Sequence, residues 1–181
     1  MLNKILTYGT IAGLIIGAVA FGTAFAWDGE SSAGGMAFGY ATMLLALSAV
    51  FVAIKRHRDD AGGGVIRFWP AFGLGLGISA VAGLFYVIGW EAALAVTDKD
   101  FMGVYTAQMI EQKRAAGASA AELARYTAEM RDFALQYDNP LYRMPITFSE
   151  IFPVGVLVSL ISAALLRNPR FLARRHEAAS I

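Results

Sequence analysis

The sequence predicts an all-α, polytopic membrane protein with four transmembrane helices and an extracytoplasmic helical hairpin between the third and the fourth. Of its 181 residues, 57% are hydrophobic and only 16% are charged, whereas about a quarter of the residues in a soluble domain are charged. The apolar residues fall into four blocks, and nearly all charged residues lie between them. Each block is long enough to cross about 30 Å of hydrocarbon as a helix that rises about 1.5 Å per residue.

The four blocks are predicted to be helical because an unpaired backbone amide or carbonyl group finds no partner in lipid. They run from Ile5 to Ala26, from Met36 to Ile54, from about Pro70 to Val96 and from Ile146 to Leu166. The domain prediction assigns residues 1–96 to the first three transmembrane helices, 97–145 to the hairpin, 146–168 to the fourth helix and 169–181 to a basic cytoplasmic tail.

The first block has an alternative interpretation as a signal peptide. Lys4 supplies a charged start, and Ala24-Phe25-Ala26 is similar to a cleavage site. The apolar stretch is longer than a typical signal core, so we interpret it as a retained transmembrane helix.

Lysine and arginine predict the orientation, because they are enriched in cytoplasmic segments beside helix ends. On one side of the membrane the sequence places Lys4, Lys55, Arg56, Arg58, Arg67, Arg167, Arg170, Arg174 and Arg175. The other side carries Asp28, Glu30 and a mixed-charge segment from Asp98 to Arg143. We therefore expect the inner (cytoplasmic) membrane of a bacterium, with both termini cytoplasmic. Tryptophans, which favour the membrane interface, occupy the predicted span ends at Trp27, Trp69 and Trp90.

The segment between the third and fourth spans shows the pattern of two helices. Helical spacing relates Phe101, Val104, Tyr105 and Met109 in the first. Gly117 suits a helix stop, Ser119 with Glu122 forms a capping-box pattern, and Asn139-Pro140 ends the second helix. The apolar stripe of the second helix comprises Leu123, Tyr126, Met130, Phe133 and Tyr137.

The two apolar stripes of this hairpin have three possible partners. They can pack on each other, lie on the lipid surface or dock a partner protein. Packing on each other is the simplest prediction, because an amphipathic hairpin buries its apolar faces in that way.

Small residues in two spans predict close helix packing. The first span contains Gly9, Gly13 and Gly17, and the third contains Gly73 and Gly77. Such rows let helix backbones approach closely where lipid removes the hydrophobic driving force. Packing within one chain is the simple interpretation, and a seam with other membrane subunits or in a homo-oligomer is the alternative.

Two carboxylates placed against apolar spans are the candidate functional groups. Glu91 follows Trp90 near the outer end of the third span, and Glu150 lies near the outer start of the fourth, shortly before Pro153. The predicted topology puts both acids at a similar depth on the outer side, where they could meet. An ionisable group near lipid suggests function, and two close carboxylates would resist double ionisation, which suits proton coupling or cation binding. The structural alternative is that Glu150 completes a helix capping box and that Arg143 pairs with either acid.

Other chemistry is weakly supported by the sequence. The absence of cysteine excludes disulfides and thiolate metal sites. The net charge of +1 gives no reason to expect nucleic acid. We find no nucleophile–base set, no metal spacing and no cofactor signature, so the sequence leans away from an enzyme and predicts the lipid bilayer as the first partner.

Several segments together carry a family resemblance. They are Tyr8 with Gly13 and Gly17, Gly63-Gly64-Val65-Ile66-Arg67-Phe68, Trp90-Glu91, Arg114-Ala115-Ala116-Gly117-Ala118-Ser119, Asn139-Pro140 and Glu150-Ile151-Phe152-Pro153-Val154-Gly155. In order and spacing the chain resembles the bacterial membrane family known as domain of unknown function 4199. Trp69-Pro70 departs from the basic residue expected there. The resemblance implies four spans with an extracytoplasmic insert, and it implies no activity.

Three functions follow as hypotheses, of which an envelope-lipid enzyme ranks last because it would need polar groups that the sequence does not show. The first is an accessory or scaffold subunit of a larger membrane assembly, because the chain combines close-packing glycines with an exposed hairpin and lacks evident catalytic groups. The alternative is a small proton- or ion-coupled carrier that uses Glu91 and Glu150.

Overall fold

Six helices make up the computed structural model, which describes residues 1–26, 33–97 and 99–173. They are α1 (Leu2–Ala26), α2 (Ala33–Ala61), α3 (Phe68–Val96), α4 (Phe101–Ala115), α5 (Ala120–Tyr137) and α6 (Pro140–Leu166). No strand occurs within these described ranges, and the all-α prediction is confirmed. The predictions for Trp27, Asp28, Glu30, Asp98, Arg174 and Arg175 fall outside the described residues.

Four of the helices, α1, α2, α3 and α6, are long and apolar enough to cross a membrane. Large apolar side chains also cover their outer surfaces, as Leu45, Trp69 and Ile88 show. A soluble bundle would place polar residues on those surfaces. The apolar helices therefore indicate a membrane-embedded protein.

The four long helices form one bundle in which α3 contacts each of the others. α2 closes the bundle by packing against α1 and α6. Fully buried side chains at the centre include Leu47, Leu74, Ile78 and Ile151. The core therefore lies along α3.

Glycines bring α1 and α3 into close contact. A β-carbon added at Gly9 would lie 2.6 Å from the Val81 side chain, and one added at Gly13 would lie 2.7 Å from Phe85. One added at Gly17 would lie 2.7 Å from the Phe85 carbonyl oxygen. These distances are below normal contact, so the approach of the two backbones depends on the missing side chains.

The two glycines singled out on α3 differ from each other. Gly77 faces Ile5 of α1, and an added β-carbon would lie 2.8 Å from that side chain. Gly73 faces open space, with no atom within 4 Å of an added β-carbon. Gly77 therefore belongs to the α1–α3 contact, whereas Gly73 does not.

A reciprocal pair of small-residue motifs joins α3 to α6. Gly75 of α3 packs on Ser159 of α6, while Ser79 of α3 packs on Gly155 of α6. Each serine donates a hydrogen bond to the carbonyl of the glycine one turn before it, at 3.0 Å for Ser79 and 2.7 Å for Ser159. The two hydroxyl oxygens lie 3.4 Å apart. Buried polar groups are thus satisfied inside an apolar bundle.

At the end of the bundle that carries the N-terminus, Arg58 of α2 is fully buried. Its guanidinium donates to the carbonyl oxygens of Phe171 at 2.8 Å and Leu172 at 2.9 Å, and to the carboxylate of Asp59 at 2.8 Å. These hydrogen bonds hold the short segment after α6 against the end of α2. Lys4 and Asp60 tie the start of α1 to the same end, with a nitrogen–oxygen distance of 3.3 Å.

The helices α4 and α5 form a hairpin and pack against each other. Asp100 caps α4 by accepting from the Gly103 amide at 2.7 Å, and Gly117 takes a positive φ of 83° in the turn. The predicted capping box at the start of α5 is confirmed, because Ser119 and Glu122 each accept a hydrogen bond from the other's backbone amide. The predicted stripe residues are half-buried, apart from the exposed Tyr105.

The last helix begins at Pro140 rather than at Ile146. Asn139 caps α6 by accepting from the Leu141 amide at 3.0 Å, and Pro140 suits the first helical position because its missing N–H needs no partner there. The capping box that the sequence suggested around Glu150 is therefore wrong. Thr147 instead donates its hydroxyl to the Arg143 carbonyl within a continuous helix, at 3.2 Å.

Candidate functional site

Polar side chains collect where α3, α5 and α6 meet, at the hairpin end of the bundle. They form two groups that we name separately. The polar clamp consists of Trp90, Glu91, Tyr137 and Arg143. The α3–α6 notch, which lies deeper along the bundle, consists of Tyr86, Ser149, Glu150 and Pro153.

An ion pair between Glu91 of α3 and Arg143 of α6 forms the centre of the clamp. The Arg143 Nε donates to Glu91 Oε1 at 2.7 Å, and Nη2 donates to Oε2 at 2.6 Å. Only 12% of the arginine side chain and 19% of the glutamate side chain are exposed. The two-pronged geometry matches a planar guanidinium to a carboxylate, which is the strongest form of such a pair.

Tyr137, the last residue of α5, connects the hairpin to this ion pair. Its carbonyl accepts a third hydrogen bond from Arg143, at 3.1 Å, and its hydroxyl accepts from the Trp90 indole at 3.1 Å. The guanidinium also lies 5.7 Å from the centre of the Tyr137 ring, within cation–π range. Burial raises the pKa of the Tyr137 hydroxyl, which therefore stays neutral. The clamp thus fixes the base of the hairpin to two spanning helices.

In the notch, the Tyr86 hydroxyl donates to Glu150 Oε2 at 2.9 Å. Glu150 follows Arg143 by about two helical turns, or about 10 Å along α6. Its side chain is exposed at the outer surface of the bundle, on the same face of α6 as Pro153 and Leu157. This carboxylate therefore points away from the core, toward the surface that faces lipid.

Pro153 adds a second acceptor to the notch. In an α-helix the N–H of this residue would bond the carbonyl of Ser149, and proline has no N–H. The Ser149 carbonyl thus lacks its usual helical partner one turn from Pro153 and directly beside Glu150. A carboxylate and a backbone carbonyl therefore lie within one turn of each other on the exposed face of α6.

The two candidate acids have separate partners. Glu91 bonds Arg143 and Glu150 bonds Tyr86, and within the described residues no hydrogen bond joins the two carboxylates. The arrangement is therefore two polar bridges between α3 and α6 at different depths, where the sequence had suggested one shared pair of acids.

Three polar contacts at this end of the bundle were missed by sequence reasoning. Tyr86 lies one helical turn before Trp90, which is a spacing signal that could have indicated it. Tyr137 was assigned only to an apolar stripe. Lys99 donates to the Phe25 carbonyl at 2.5 Å and to the Ala24 carbonyl at 3.3 Å, so it caps the end of α1, where a cation is favourable.

Metal binding has little support in this arrangement. No group of three or more metal-ligating side chains occurs among the residues that the structure describes. Arg143 moreover neutralises the nearest acid, Glu91, and its positive charge disfavours a second cation there.

Comparison with known proteins gives a family and no activity. The model of the family described as "Protein of unknown function (DUF4199)" matches residues 7–168. The chain therefore belongs to this family, as the sequence motifs predicted. Neither the curated proteins nor the solved structures contain a match.

Proposed function

We propose that this member of the family is a scaffold subunit of a membrane assembly, in which a rigid four-helix anchor presents the α4–α5 hairpin to another protein. The observation that carries the proposal is the polar clamp. Glu91 and Arg143 join α3 to α6, and Tyr137 ties the end of the hairpin to both. A hairpin held in this way keeps one orientation relative to the membrane.

Close packing of the bundle supports a rigid anchor. The α1–α3 contact brings Gly17 against the Phe85 carbonyl, and the α3–α6 contact pairs Gly75 with Ser159. Space along these two contacts is too small for an added methyl group without movement. Such contacts resist the rocking of helix pairs that alternating access requires.

The outer face of α5 supports a role in binding a partner protein. Glu122, Arg125 and Glu129 are exposed there, and Arg125 pairs with Glu129 at 3.5 Å. The exposed surface carries both signs of charge and no net excess of basic residues, unlike a helix that binds anionic lipid. This composition is typical of the polar rim of a protein interface.

A carrier that uses Glu91 and Glu150 together is less well supported. Arg143 occupies both oxygens of Glu91, and the two acids lie in different layers of the bundle. A coupled pair of carboxylates would have to share a proton or a cation, and that requires direct proximity.

The proposed scaffold would have a defined location and orientation in the cell. Within a bacterial inner membrane, the end of the bundle with Lys4 and Arg58 would face the cytoplasm, in accordance with the distribution of basic residues. The hairpin would then lie on the outer side, where it can meet the extracytoplasmic part of a partner.

The test is site-specific photo-crosslinking in native membranes, followed by native mass spectrometry of the complex in mild detergent. Crosslinkers placed at Arg125 and Gln136 should capture one defined partner in stoichiometric amount, and one at the bundle residue Leu45 serves as the control. Replacing residues 104–133 by a Gly/Ser linker should abolish the complex and leave the four-helix bundle folded. A chain that remains a bare monomer, or that keeps its partner without the hairpin, would refute the proposal.

A further inference from the structure

The α3–α6 notch carries an inference about how such a partner is held within the membrane. We propose that the notch binds a lysine or arginine side chain on a transmembrane helix of the partner. The inference rests on the proposed function, because it names a second contact of the same assembly. It uses the carboxylate of Glu150, the hydroxyl of Tyr86 and the carbonyl of Ser149.

A carboxylate in this position needs a positive partner. Glu150 is exposed on the face of α6 that also carries Pro153 and Leu157, about 10 Å deeper than Arg143. An isolated ionised carboxylate in hydrocarbon is unfavourable, so such groups pair with a cation or with a polar group. Tyr86 is the one hydrogen-bond partner of the Glu150 side chain among the described residues, and it occupies Oε2. Oε1 remains available.

Among the residues that the structure describes, no lysine or arginine pairs with Glu150. Arg143 bonds Glu91 and Tyr137, and Lys99 bonds the carbonyl groups at the end of α1. The segment from 27 to 32 contains no lysine or arginine. The charge of Glu150 is therefore complementary to a group supplied from outside the chain.

The form of the notch favours a side chain over a lipid amine. A guanidinium or ammonium group has several donors and can bond Glu150 and the Ser149 carbonyl together. A lipid headgroup stays near the interface, whereas a lysine or arginine on a partner helix can extend its long apolar stem along α6 and bring its charge to Glu150, where the two charges pair. Pro153 is exposed on the same face of α6 as Glu150, which is the face that a partner helix would contact.

The experiment uses synthetic helices as probes. The full-length protein, labelled at an Ala118→Cys substitution, is placed in phosphatidylcholine vesicles with a labelled leucine–alanine helix that carries one lysine about 10 Å from one end. A matched helix carries norleucine at that position. Energy transfer should show binding of the lysine helix at least about tenfold tighter than that of the norleucine helix.

Substitutions connect that binding to the notch. Glu150→Gln should remove the preference for lysine, and Glu111→Gln, which changes an exposed carboxylate of α4, should leave it intact. Tyr86→Phe should weaken it. Thermal unfolding in detergent shows whether each variant is folded. Equal binding of both helices, or an undiminished preference in a folded Glu150→Gln variant, would overturn the proposal.

Infrared spectroscopy supplies a second readout that does not depend on the stability of a variant. At pH 7 the lysine helix should shift the carboxylate stretching bands of the protein relative to their position with the norleucine helix, because Glu150 gains a positively charged hydrogen-bond donor. Carboxylate bands that are identical with the two helices would overturn the proposal. If the probe fails while the hairpin still captures a partner, only the notch is refuted; if the probe binds while the hairpin captures nothing, the scaffold function is refuted instead.

Discussion

Arg143 concentrates more polar contacts than any other side chain of the clamp. It forms two hydrogen bonds to Glu91 and one to the Tyr137 carbonyl. Because both charges are mostly buried, removal of one partner leaves the other without compensation, and such a loss costs about 3–5 kcal/mol. The pair therefore acts as a fastening between helices rather than as a reactive group.

Substitutions in the polar clamp should therefore destabilise the folded protein. Glu91→Gln and Arg143→Lys should each lower the free energy of unfolding by about 3 kcal/mol, the lower end of the range for a buried pair. Lysine cannot reproduce the two-pronged contact. Reversible unfolding in mixed micelles measures the change, with Glu111→Gln, which breaks an exposed pair with Arg114, as the control. A loss no larger than that of the control would contradict the structural role.

The hydrogen bonds of Glu122 make its contribution to the stability of the fold depend on pH. Its carboxylate accepts from the Ser119 hydroxyl at 2.7 Å and from the Ser119 amide at 2.9 Å, and these bonds hold its pKa below the ordinary value. A carboxyl with a lowered folded pKa stabilises the fold above its unfolded pKa. That contribution is lost as the pH falls through the folded value.

We therefore expect the first turn of α5 to open in acid. Amide exchange at residues 119–123 should be slow from pH 7 to about 5 and, after correction for intrinsic rates, should accelerate as the pH falls below the ordinary glutamate pKa of about 4.3. Ser119→Ala should open this turn already at neutral pH. Glu129→Gln should not alter the profile, and an identical acid response in wild type and Ser119→Ala would exclude the capping box as its cause.

At the scale of helices, the glycines separate into those that permit a contact and those that do not. A β-carbon at Gly17 would meet a backbone oxygen of α3, which cannot rotate away as a side chain can. A β-carbon at Gly73 would meet nothing. Both positions are helical glycines, but only Gly17 lies in close contact with a neighbouring helix.

Alanine at these two positions should give opposite results. Gly17→Ala should lower the stability of the bundle by about 1–3 kcal/mol, because overpacking forces the helices apart. Gly73→Ala should leave stability unchanged or raise it by up to about 1 kcal/mol, because alanine restricts the unfolded chain. Thermal unfolding in one detergent compares them, and equal effects would show that the α1–α3 contact does not depend on Gly17.

The sequence predicted the spanning helices correctly because the lipid environment allows no other backbone structure. Lipid leaves a long apolar block no alternative to a helix, so all four spans were predicted. The start of α6 was misplaced because Thr147 and Glu150 repeat a capping pattern inside a helix that Asn139 and Pro140 begin. α2 continues beyond the apolar block to Ala61, and in this extension Lys55 pairs with Asp59 one turn later at 2.6 Å.

At the scale of the whole molecule, the sequence did not predict which residues distant in the chain contact each other. The sequence placed Glu91 and Glu150 at a similar depth, but only the register of α3 against α6 assigns Arg143 to the first and Tyr86 to the second. The burial of Arg58 could not be read from its basic surroundings, because it depends on how the chain folds back after α6. Composition predicts the environment of a segment, and tertiary packing decides the partner of each residue.

The tertiary contacts and the basic residues together predict the orientation of the molecule in the membrane. Hydrogen bonds place the start of α1, the end of α2 and the end of α6 together at one end of the bundle, and the hairpin base at the other. The two ends must therefore lie on opposite sides of any membrane that the four helices cross. The basic residues near the first end predict that it is cytoplasmic.

Because the chain contains no cysteine, single introduced cysteines can test this orientation without background labelling. A maleimide that cannot cross the membrane should label Ala118→Cys, in the turn of the hairpin, in intact spheroplasts. It should label Ala61→Cys, at the end of α2, only after the membrane is permeabilised. Both sites lie outside the packed core, so neither substitution should disturb the bundle. Labelling in the reverse order would place the hairpin in the cytoplasm, and the partner of the scaffold would then have to be sought on that side.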